Sequence, residues 1–127
     1  MLSELKELYD IQAALNTTTI LAITDTKGKI IFANAKFCEI SKYSPEELIG
    51  KTHKIVNSGY HEPEFFKNLW LTISQGKKWR GEIQNRAKDG SLYWVDTYII
   101  PFLNNQGQPY QYVSIRHDIT NRKLLEH

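Results

Sequence analysis

Several features are scarce in this chain of 127 residues, and each scarcity excludes a class of protein. The single cysteine, Cys38, excludes an intramolecular disulfide and with it a disulfide-stabilised secreted scaffold. No apolar run approaches the roughly 20 residues that a membrane-spanning helix requires. Neither a secretion signal nor a cluster of metal ligands is visible. We therefore expect a cytoplasmic domain with no membrane span in this segment and no bound metal.

Charge of one sign is scarce as well. The 16 basic residues face 14 acidic ones, which leaves a net charge of +2. Proteins that bind nucleic acid or anionic membranes need a concentrated basic surface, so we expect neither partner. Apolar residues, in contrast, are plentiful: 41% of the chain is hydrophobic and 12% is aromatic. This supply is sufficient for the core of one domain of ordinary size.

The two ends of the chain differ in pattern from its middle. Leucine and isoleucine recur every three or four positions near the N terminus, which is typical of an amphipathic helix. We expect this flanking helix at residues 1–16 and a single globular domain at residues 17–120. The segment 121–127 is expected to begin a linker helix and to end in residues of a purification tag. The chain is thus expected to be one domain cut from a longer protein.

Alternating stretches separated by turn residues predict five strands inside the domain. Their expected positions are 17–24, 29–33, 79–88, 91–103 and 109–119. Between the second and third strands we expect helices at 35–41, after the start signal Ser44-Pro45-Glu46-Glu47, and at 63–75. The last of these is expected to bury one stripe: Phe65, Phe66, Leu69, Trp70 and Ile73. The order predicts an α+β fold with a five-stranded antiparallel sheet, short helices on one face and flanking helices.

The third predicted strand carries two unusual residues on its buried side. Alternation places Trp79 and Asn85 in one row with Gly81, Ile83 and Ala87, whereas charged residues occupy the other row. A buried carboxamide needs a hydrogen-bond partner, because burying it unpaired costs on the order of 1–3 kcal/mol. The partner is protein backbone, water or a heteroaromatic ligand inside the domain. The function depends on which of these it is.

From about Thr17 to Thr120 the chain resembles the PAS domain family. The matching segments are Ile23-Thr24-Asp25 with Gly28, Ile30-Ile31-Phe32-Ala33-Asn34, the run from Phe37 to Gly50, Trp79-Arg80-Gly81-Glu82, the run from Asn85 to Gly90, Tyr93-Trp94-Val95, and Asp118-Ile119-Thr120. The stretch from Trp79 to Gly90 looks most like flavin-binding PAS sensors of aerotaxis and nitrogen-fixation control. The resemblance implies a PAS fold and a sensory role, with FAD as the first choice of cofactor.

The same resemblance implies five cofactor-binding residues. Trp79 and Asn85 fall where flavin-binding relatives contact FAD, and an indole and an amide suit the face and the polar edge of such a ring. His53 and Asn57 fall on the flavin helix of light-sensing LOV relatives. Because His53 stands in place of their photoreactive cysteine, thioether photochemistry is not expected. Arg116 takes the place of a flavin-sensing glutamine, and a buried arginine needs an anionic or polar partner.

Structural interpretations of these residues stay open from the sequence alone. Trp79 also suits a core position, and Asn85 also suits a hydrogen bond to a neighbouring strand or water. His53 suits a helix cap or a surface site, and Asn57 suits a turn. Arg116 also suits an ion pair with Asp118 or another acidic group. A heme sensor would need an axial ligand, for which His61 is the remote candidate. A small organic ligand such as a fatty acid is a further alternative to FAD.

The leading hypothesis is a sensory PAS module of a larger bacterial signalling protein. It would bind a cofactor and relay redox or ligand state to a histidine kinase, diguanylate cyclase or chemoreceptor effector. No nucleophile–base pair is visible, so we do not expect an enzyme. The alternative is a ligand-free dimerisation module whose own side chains fill the pocket. A homodimer is expected through the N-terminal helix and an exposed outer sheet face that carries Val113, Ile115, Ile119, Trp94 and Tyr98.

Overall fold

A computed structural model describes residues 2–126 of the chain. The helices are α1 (Leu2–Thr18), α2 (Ala35–Ser41), α3 (Pro45–Leu48), α4 (Pro63–Ser74) and α5 (Thr120–Leu125), with a 3-10 turn at His53–Val56. The strands are β1 (Ile20–Thr24), β2 (Ile30–Ala33), β3 (Trp79–Arg86), β4 (Leu92–Leu103) and β5 (Pro109–Asp118). They form one five-stranded sheet in the order β2-β1-β5-β4-β3, with antiparallel neighbours throughout. The predicted fold is confirmed.

The prediction for the start of the first strand was wrong by three residues. Thr17 and Thr18 continue α1, and their hydroxyls donate hydrogen bonds to the Ala14 carbonyl at 2.7 and 3.3 Å. The Thr19 amide also donates to Leu15 at 2.8 Å. The β-branched run that suggested a strand is therefore helical at its beginning, because side-chain bonds to the preceding turn support the helix there.

Two polar caps position the short helices against the sheet. The Asn34 side chain accepts from the Phe37 amide at 3.0 Å and from the Leu21 amide at 3.1 Å, and it donates to the Thr19 carbonyl at 2.7 Å. One amide thus begins α2 and ties it to β1. Ser44 forms the predicted capping box of α3 with Glu47.

The core lies between the inner face of the sheet and the helices α2, α3 and α4. Its largest fully buried apolar residues are Phe37, Ile30, Leu48, Ile73, Val56 and Val95. The predicted buried stripe of α4 is confirmed for Leu69 and Ile73 but wrong for Trp70, whose surface is 40% exposed. Trp70 lies at the edge of the stripe, where a large ring reaches past the helix toward the turn between β1 and β2.

The outer face of the sheet is apolar along its middle strands. The face was expected to be exposed, but Ile115, Ile119, Trp94 and Tyr98 are half-buried. The expectation of exposure was wrong for Val113, which is buried because it lies on central strand β5 between Ile23 and Ile100 of the flanking strands. The helix α1 buries none of its residues. None of the helices within residues 2–126 has the length and apolar character to cross a membrane.

Candidate ligand-binding site

A cavity of about 390 Å³ lies inside the domain, between the inner face of the sheet, the 3-10 turn and α4. Its apolar wall is formed by Phe66, Leu69, Trp70, Ile73, Ile83, Ile99 and Tyr112. Its polar wall is formed by Thr24, Lys27, Thr52, His53, Lys54, Asn57, Asn85, Ser114 and Arg116, and Gly28 completes the lining. The volume lies in the range of small-molecule sites, and an apolar wall with a few convergent polar groups is their usual composition.

Arg116 is a buried cation that has no ion-pair partner among residues 2–126. It lies on central strand β5, opposite Ile20 and Thr97 of the neighbouring strands, and is 4% exposed. Its Nε and Nη1 atoms are buried without hydrogen-bond partners within the described chain. The Phe37 ring lies 5.8 Å from the guanidinium carbon. Burial lowers the pKa of Arg116 to about 10, so the group still carries its charge near neutral pH.

Three further buried polar atoms near Arg116 also have no hydrogen-bond partner among residues 2–126. They are His53 Nε2, Tyr93 Oη and Ser114 Oγ. The His53 ring stacks on Phe37 at 5.9 Å, and burial together with the charge of Arg116 holds the pKa of His53 well below its usual value. Burial raises the pKa of Tyr93 to about 12. Near neutral pH, His53 and Tyr93 are therefore both uncharged beside Arg116.

Asn85 and Asn57 approach each other at the end of the cavity nearest β3. Asn85 is 5% exposed and lies opposite Tyr93 in the β3–β4 ladder. Asn57 is exposed, forms an isolated β-bridge with Asn85, and accepts a hydrogen bond from the Gly59 amide at 2.9 Å. Asn57 thus stabilises a turn, as considered from the sequence, and also lines the cavity. Both carboxamides lie where they can contact a bound molecule.

Trp79 occupies the same row of β3 but does not belong to the cavity lining. Its ring folds over Gly81, where an added Cβ would lie 2.5 Å from the ring, and it packs edge-on against Phe65 at 5.5 Å. Its contact with a cofactor stays a prediction. The other four predicted site residues, His53, Asn57, Asn85 and Arg116, all line the cavity.

Two lysines from separate turns give the cavity a cationic opening. Lys27 belongs to the turn between β1 and β2, whereas Lys54 belongs to the 3-10 turn, and both are exposed while they line the cavity. The lining described for the cavity contains no carboxylate. Together with Arg116, these groups favour a ligand that carries hydrogen-bond acceptors or negative charge.

His61 has a structural role at the edge of the sheet. Its Nε2 accepts a hydrogen bond from the Gln84 amide at 2.9 Å, and its ring stacks on Phe65 at 4.1 Å. The Ser58 hydroxyl donates to the Gln84 carbonyl at 3.0 Å, and this hydrogen bond holds the loop after Asn57 against β3. Burial lowers the pKa of His61. Because its Nε2 is engaged with the backbone, this geometry does not favour His61 as a heme ligand.

The sequence reasoning missed Ser114, Tyr93 and the two lysines of the opening. Ser114 could have been found, because strand alternation puts it in one row with Arg116. Tyr93 follows from its position opposite Asn85, but only once the register of β3 and β4 is known. Lys27 and Lys54 are 27 positions apart in sequence, and only the fold brings them to one opening.

Comparison with known families decides the classification. A family model described as a PAS domain matches residues 17–121. The chain belongs to the PAS domain family. The expectation drawn from the sequence motifs is confirmed, and the five-stranded antiparallel sheet with its helices is that of a PAS domain.

Curated relatives of this PAS domain are signalling proteins. The chain is 35% identical over 106 residues to the nitrogen fixation regulatory protein of Klebsiella pneumoniae, and 33% identical over 107 residues to the aerotaxis receptor of Escherichia coli strain K12. Each alignment covers 84% of this chain and 21% of the relative. The chain therefore spans about one fifth of the length of these relatives.

Solved structures agree with this PAS domain in fold. A PAS domain from Colwellia psychrerythraea is 27% identical, with a TM-score of 0.76 over 91% of this chain and 98% of that one. An RNA-binding light-oxygen-voltage receptor is 21% identical, with a TM-score of 0.80 over 89% of this chain and 33% of that one. At the latter identity the likeness shows the fold alone.

Proposed function

We infer that this PAS domain is a sensory module that holds a flavin, with FAD favoured, in its interior cavity. It would report the redox or ligand state of that flavin to an effector domain of a larger cytoplasmic signalling protein. The observation that carries this proposal is Arg116, a buried guanidinium with unpartnered Nε and Nη1 atoms facing the cavity. Burying an unpaired charge is costly, so a site that retains one is built for a ligand that offers acceptors.

The residues of the cavity fit an isoalloxazine ring system. Asn85 offers both a donor and an acceptor to the polar edge of a ring, whereas Arg116 and Ser114 offer donors. Ile83 and Ile99 offer apolar surface for its faces. The flavin supplies a group whose charge and hydrogen-bonding pattern change on reduction. His53 is uncharged near neutral pH and suits a hydrogen bond rather than an ion pair with that ring.

The sheet and α5 offer the route from the cavity to an effector. Tyr93 faces inward near Asn85, and the next residue, Trp94, faces outward. The Trp94 amide donates to the Thr120 hydroxyl at 2.9 Å, and its ring lies 4.5 Å from the Lys123 ammonium. A change at the inner face of β4 would therefore reach α5, which leads toward the effector.

The test of flavin binding is a fluorescence titration of FAD with the Asn85→Leu variant. We expect the unmodified chain to quench FAD fluorescence at one molecule per chain. Asn85→Leu should weaken binding at least about tenfold, because the apolar side chain leaves the ring edge without its partner. Gln84→Leu, the adjacent residue on the outer face, is the matched control and should bind as the unmodified chain does. Equal affinity for the two variants would contradict the proposed orientation of the ring.

A ligand-free dimerisation module is the second candidate, and a specific observation favours it. The apolar stripe of α1 is uncovered, with Leu2, Leu8 and Ile11 each more than half exposed. Both candidates include a homodimer through α1 and the outer sheet face. Only the second predicts that added FAD leaves the thermal midpoint of the chain unchanged, since a ligand that binds the folded state must raise it.

A further inference from the structure

The loop at residues 57–62, here called the edge loop, lies along β3 at the end of the sheet. In the described chain β4 is the one neighbouring strand of β3. At Gln84 the backbone amide donates to His61 Nε2 at 2.9 Å, and the backbone carbonyl accepts from the Ser58 hydroxyl at 3.0 Å. Two side chains of the edge loop thus bond the backbone of an edge strand where another strand would otherwise pair with it.

The hydrogen bond from Gln84 requires one protonation state of His61. A ring nitrogen accepts a hydrogen bond only when it carries no proton, so the observed contact requires a neutral imidazole with its proton on Nδ1. In the imidazolium both ring nitrogens are donors, and no rotation of the ring provides an acceptor for the amide. Protonation of His61 therefore breaks this contact.

The surroundings of His61 also disfavour its charged form. Aromatic rings contact it from three elements and from the loop itself: Phe65 and Phe66 of α4, Trp94 of β4, and Tyr60. No ion pair of His61 is found among residues 2–126. Burial lowers the pKa of His61.

The charged groups on the elements around this ring carry both signs. Those of β3 and α5 largely bond one another, since Glu82 pairs with Arg122 and Lys123. The charged side chains on these elements are Glu62, Glu64 and Lys67 at α4, Arg80, Glu82 and Arg86 on β3, Asp96 on β4, and Arg122, Lys123 and Glu126 at α5. Burial, rather than one of these charges, is thus the cause of the lowered pKa of His61.

We propose that His61 is a pH switch, which holds the edge loop on β3 while its ring is neutral and releases the loop when the ring is protonated. Asn57 belongs both to the edge loop and to the lining of the interior cavity. Release of the loop therefore opens the cavity wall nearest β3 and exposes the backbone of Gln84. The switch goes beyond the proposed function, because it responds to protons whether or not the cavity holds a ligand.

The loop opens on acidification. The closed loop has the lower His61 pKa, so below about pH 6.5 the open loop binds the additional proton. The contribution of His61 to closure is fully present above about pH 6.5. The ratio of open to closed loop then increases by up to about tenfold for each pH unit, until the pH reaches the pKa of the closed state.

The test is amide hydrogen exchange resolved by NMR, on the chain without added flavin, between about pH 7.5 and pH 5. The protection factor of the Gln84 amide, which corrects for the intrinsic effect of pH on exchange, should fall at least about tenfold over this range. His61→Gln offers an acceptor that does not titrate, and its protection factor should stay constant. His53→Gln removes the other buried histidine and should retain the fall at Gln84.

A constant protection factor of Gln84 in the unmodified chain would overturn the switch. An equal fall in His61→Gln would overturn it as well, because another group would then be responsible. If the glutamine does not hold the loop at any pH, the unmodified chain decides through a second readout. The resonances of the Gln84 amide and the His61 ring should then move with one midpoint, and two separate midpoints would overturn the proposal.

Discussion

Two arginines on the same sheet have opposite environments. Arg80 on β3 points outward, where its guanidinium bonds Asp96 at 3.0 Å and lies over the Tyr98 ring at 4.7 Å. Arg116 on β5 points inward, is 4% exposed, and leaves Nε and Nη1 without partners among residues 2–126. The outer cation is exposed and nevertheless has an ion-pair partner, whereas the inner cation is buried and has none among residues 2–126.

The two faces of the sheet differ in whether their charged and polar groups have partners within residues 2–126. The outer face also pairs Glu82 with Arg122 and Lys123 of α5, so its charges are balanced within the chain. The inner face instead collects unpartnered atoms of His53 and Ser114 around one cavity. Folding alone does not favour such a set, because each buried group without a partner lowers stability. The inner face is therefore where the proposed ligand would supply the missing hydrogen-bond partners.

The largest expected effect comes from removing the unpaired charge. Arg116→Met should raise the free energy of unfolding of the ligand-free chain by about 1–4 kcal/mol, since an apolar side chain replaces a buried cation. The same change should weaken FAD binding at least about 100-fold, because the ligand loses its charged donor. Arg80→Met, the outer counterpart, should leave FAD affinity unchanged. Chemical denaturation and FAD titration measure both quantities, and a less stable Arg116→Met protein would refute the comparison.

Much of this comparison was accessible from the sequence. The alternation of β3 predicted that Asn85 lies on the inner face. The capping box of Ser44 and Glu47 and the turn between β3 and β4 were predicted from residue types that favour helix starts and tight turns. Four of the five predicted site residues line one cavity. These features depend on neighbours in sequence or on a period of two, which a single chain displays directly.

The rest depends on distances between segments that the sequence does not contain. That no carboxylate among residues 2–126 forms an ion pair with Arg116 becomes visible only when five strands are in register. Trp70 shares the helical stripe of Leu69 and Ile73, and its exposure follows from the place where α4 meets the β1–β2 turn. The ring of Trp79 is turned away from the cavity by Phe65 and Gly81, which is a matter of packing rather than pattern.

A second substitution tests the packing of the Trp79 ring against Gly81, a part of the inner face that lies outside the cavity lining. Gly81→Ala would place a Cβ 2.5 Å from the Trp79 ring, and displacing this ring should cost about 1–3 kcal/mol of unfolding free energy. In the Trp79→Leu background the same Gly81→Ala change should cost less unfolding free energy than in the unmodified chain, because the clash is gone. Strict additivity in denaturation experiments would contradict the packing described for Trp79.

The acid side of the stability profile tests the uncharged state of His53. Its folded-state pKa lies well below the unfolded value, so below about pH 6.5 the unfolded chain binds an extra proton. Stability from this group is therefore fully present above pH 6.5 and falls as pH decreases, by up to about 1.4 kcal/mol per pH unit. His53→Gln should flatten the profile. An unchanged slope in His53→Gln would show that the ring protonates freely in the folded chain.

The smallest expected effect concerns the paired outer face. Glu82→Gln removes the shared partner of Arg122 and Lys123, which should loosen α5 while leaving the sheet intact. Amide hydrogen exchange should accelerate in residues 120–125 and remain unchanged in the central strands. Glu39→Gln on α2 serves as the control for the charge change. Unaltered exchange in α5 would show that these ion pairs do not hold the helix.

The most direct measurement of the central claim is the visible absorption spectrum of the freshly purified chain, recorded alone and after addition of FAD. We predict a two-banded flavin spectrum that stays with the protein through gel filtration and is lost in the Arg116→Met variant. A colourless protein that also fails to retain added FAD would contradict the claim. In that case the unpaired guanidinium would be a feature of a ligand-free module.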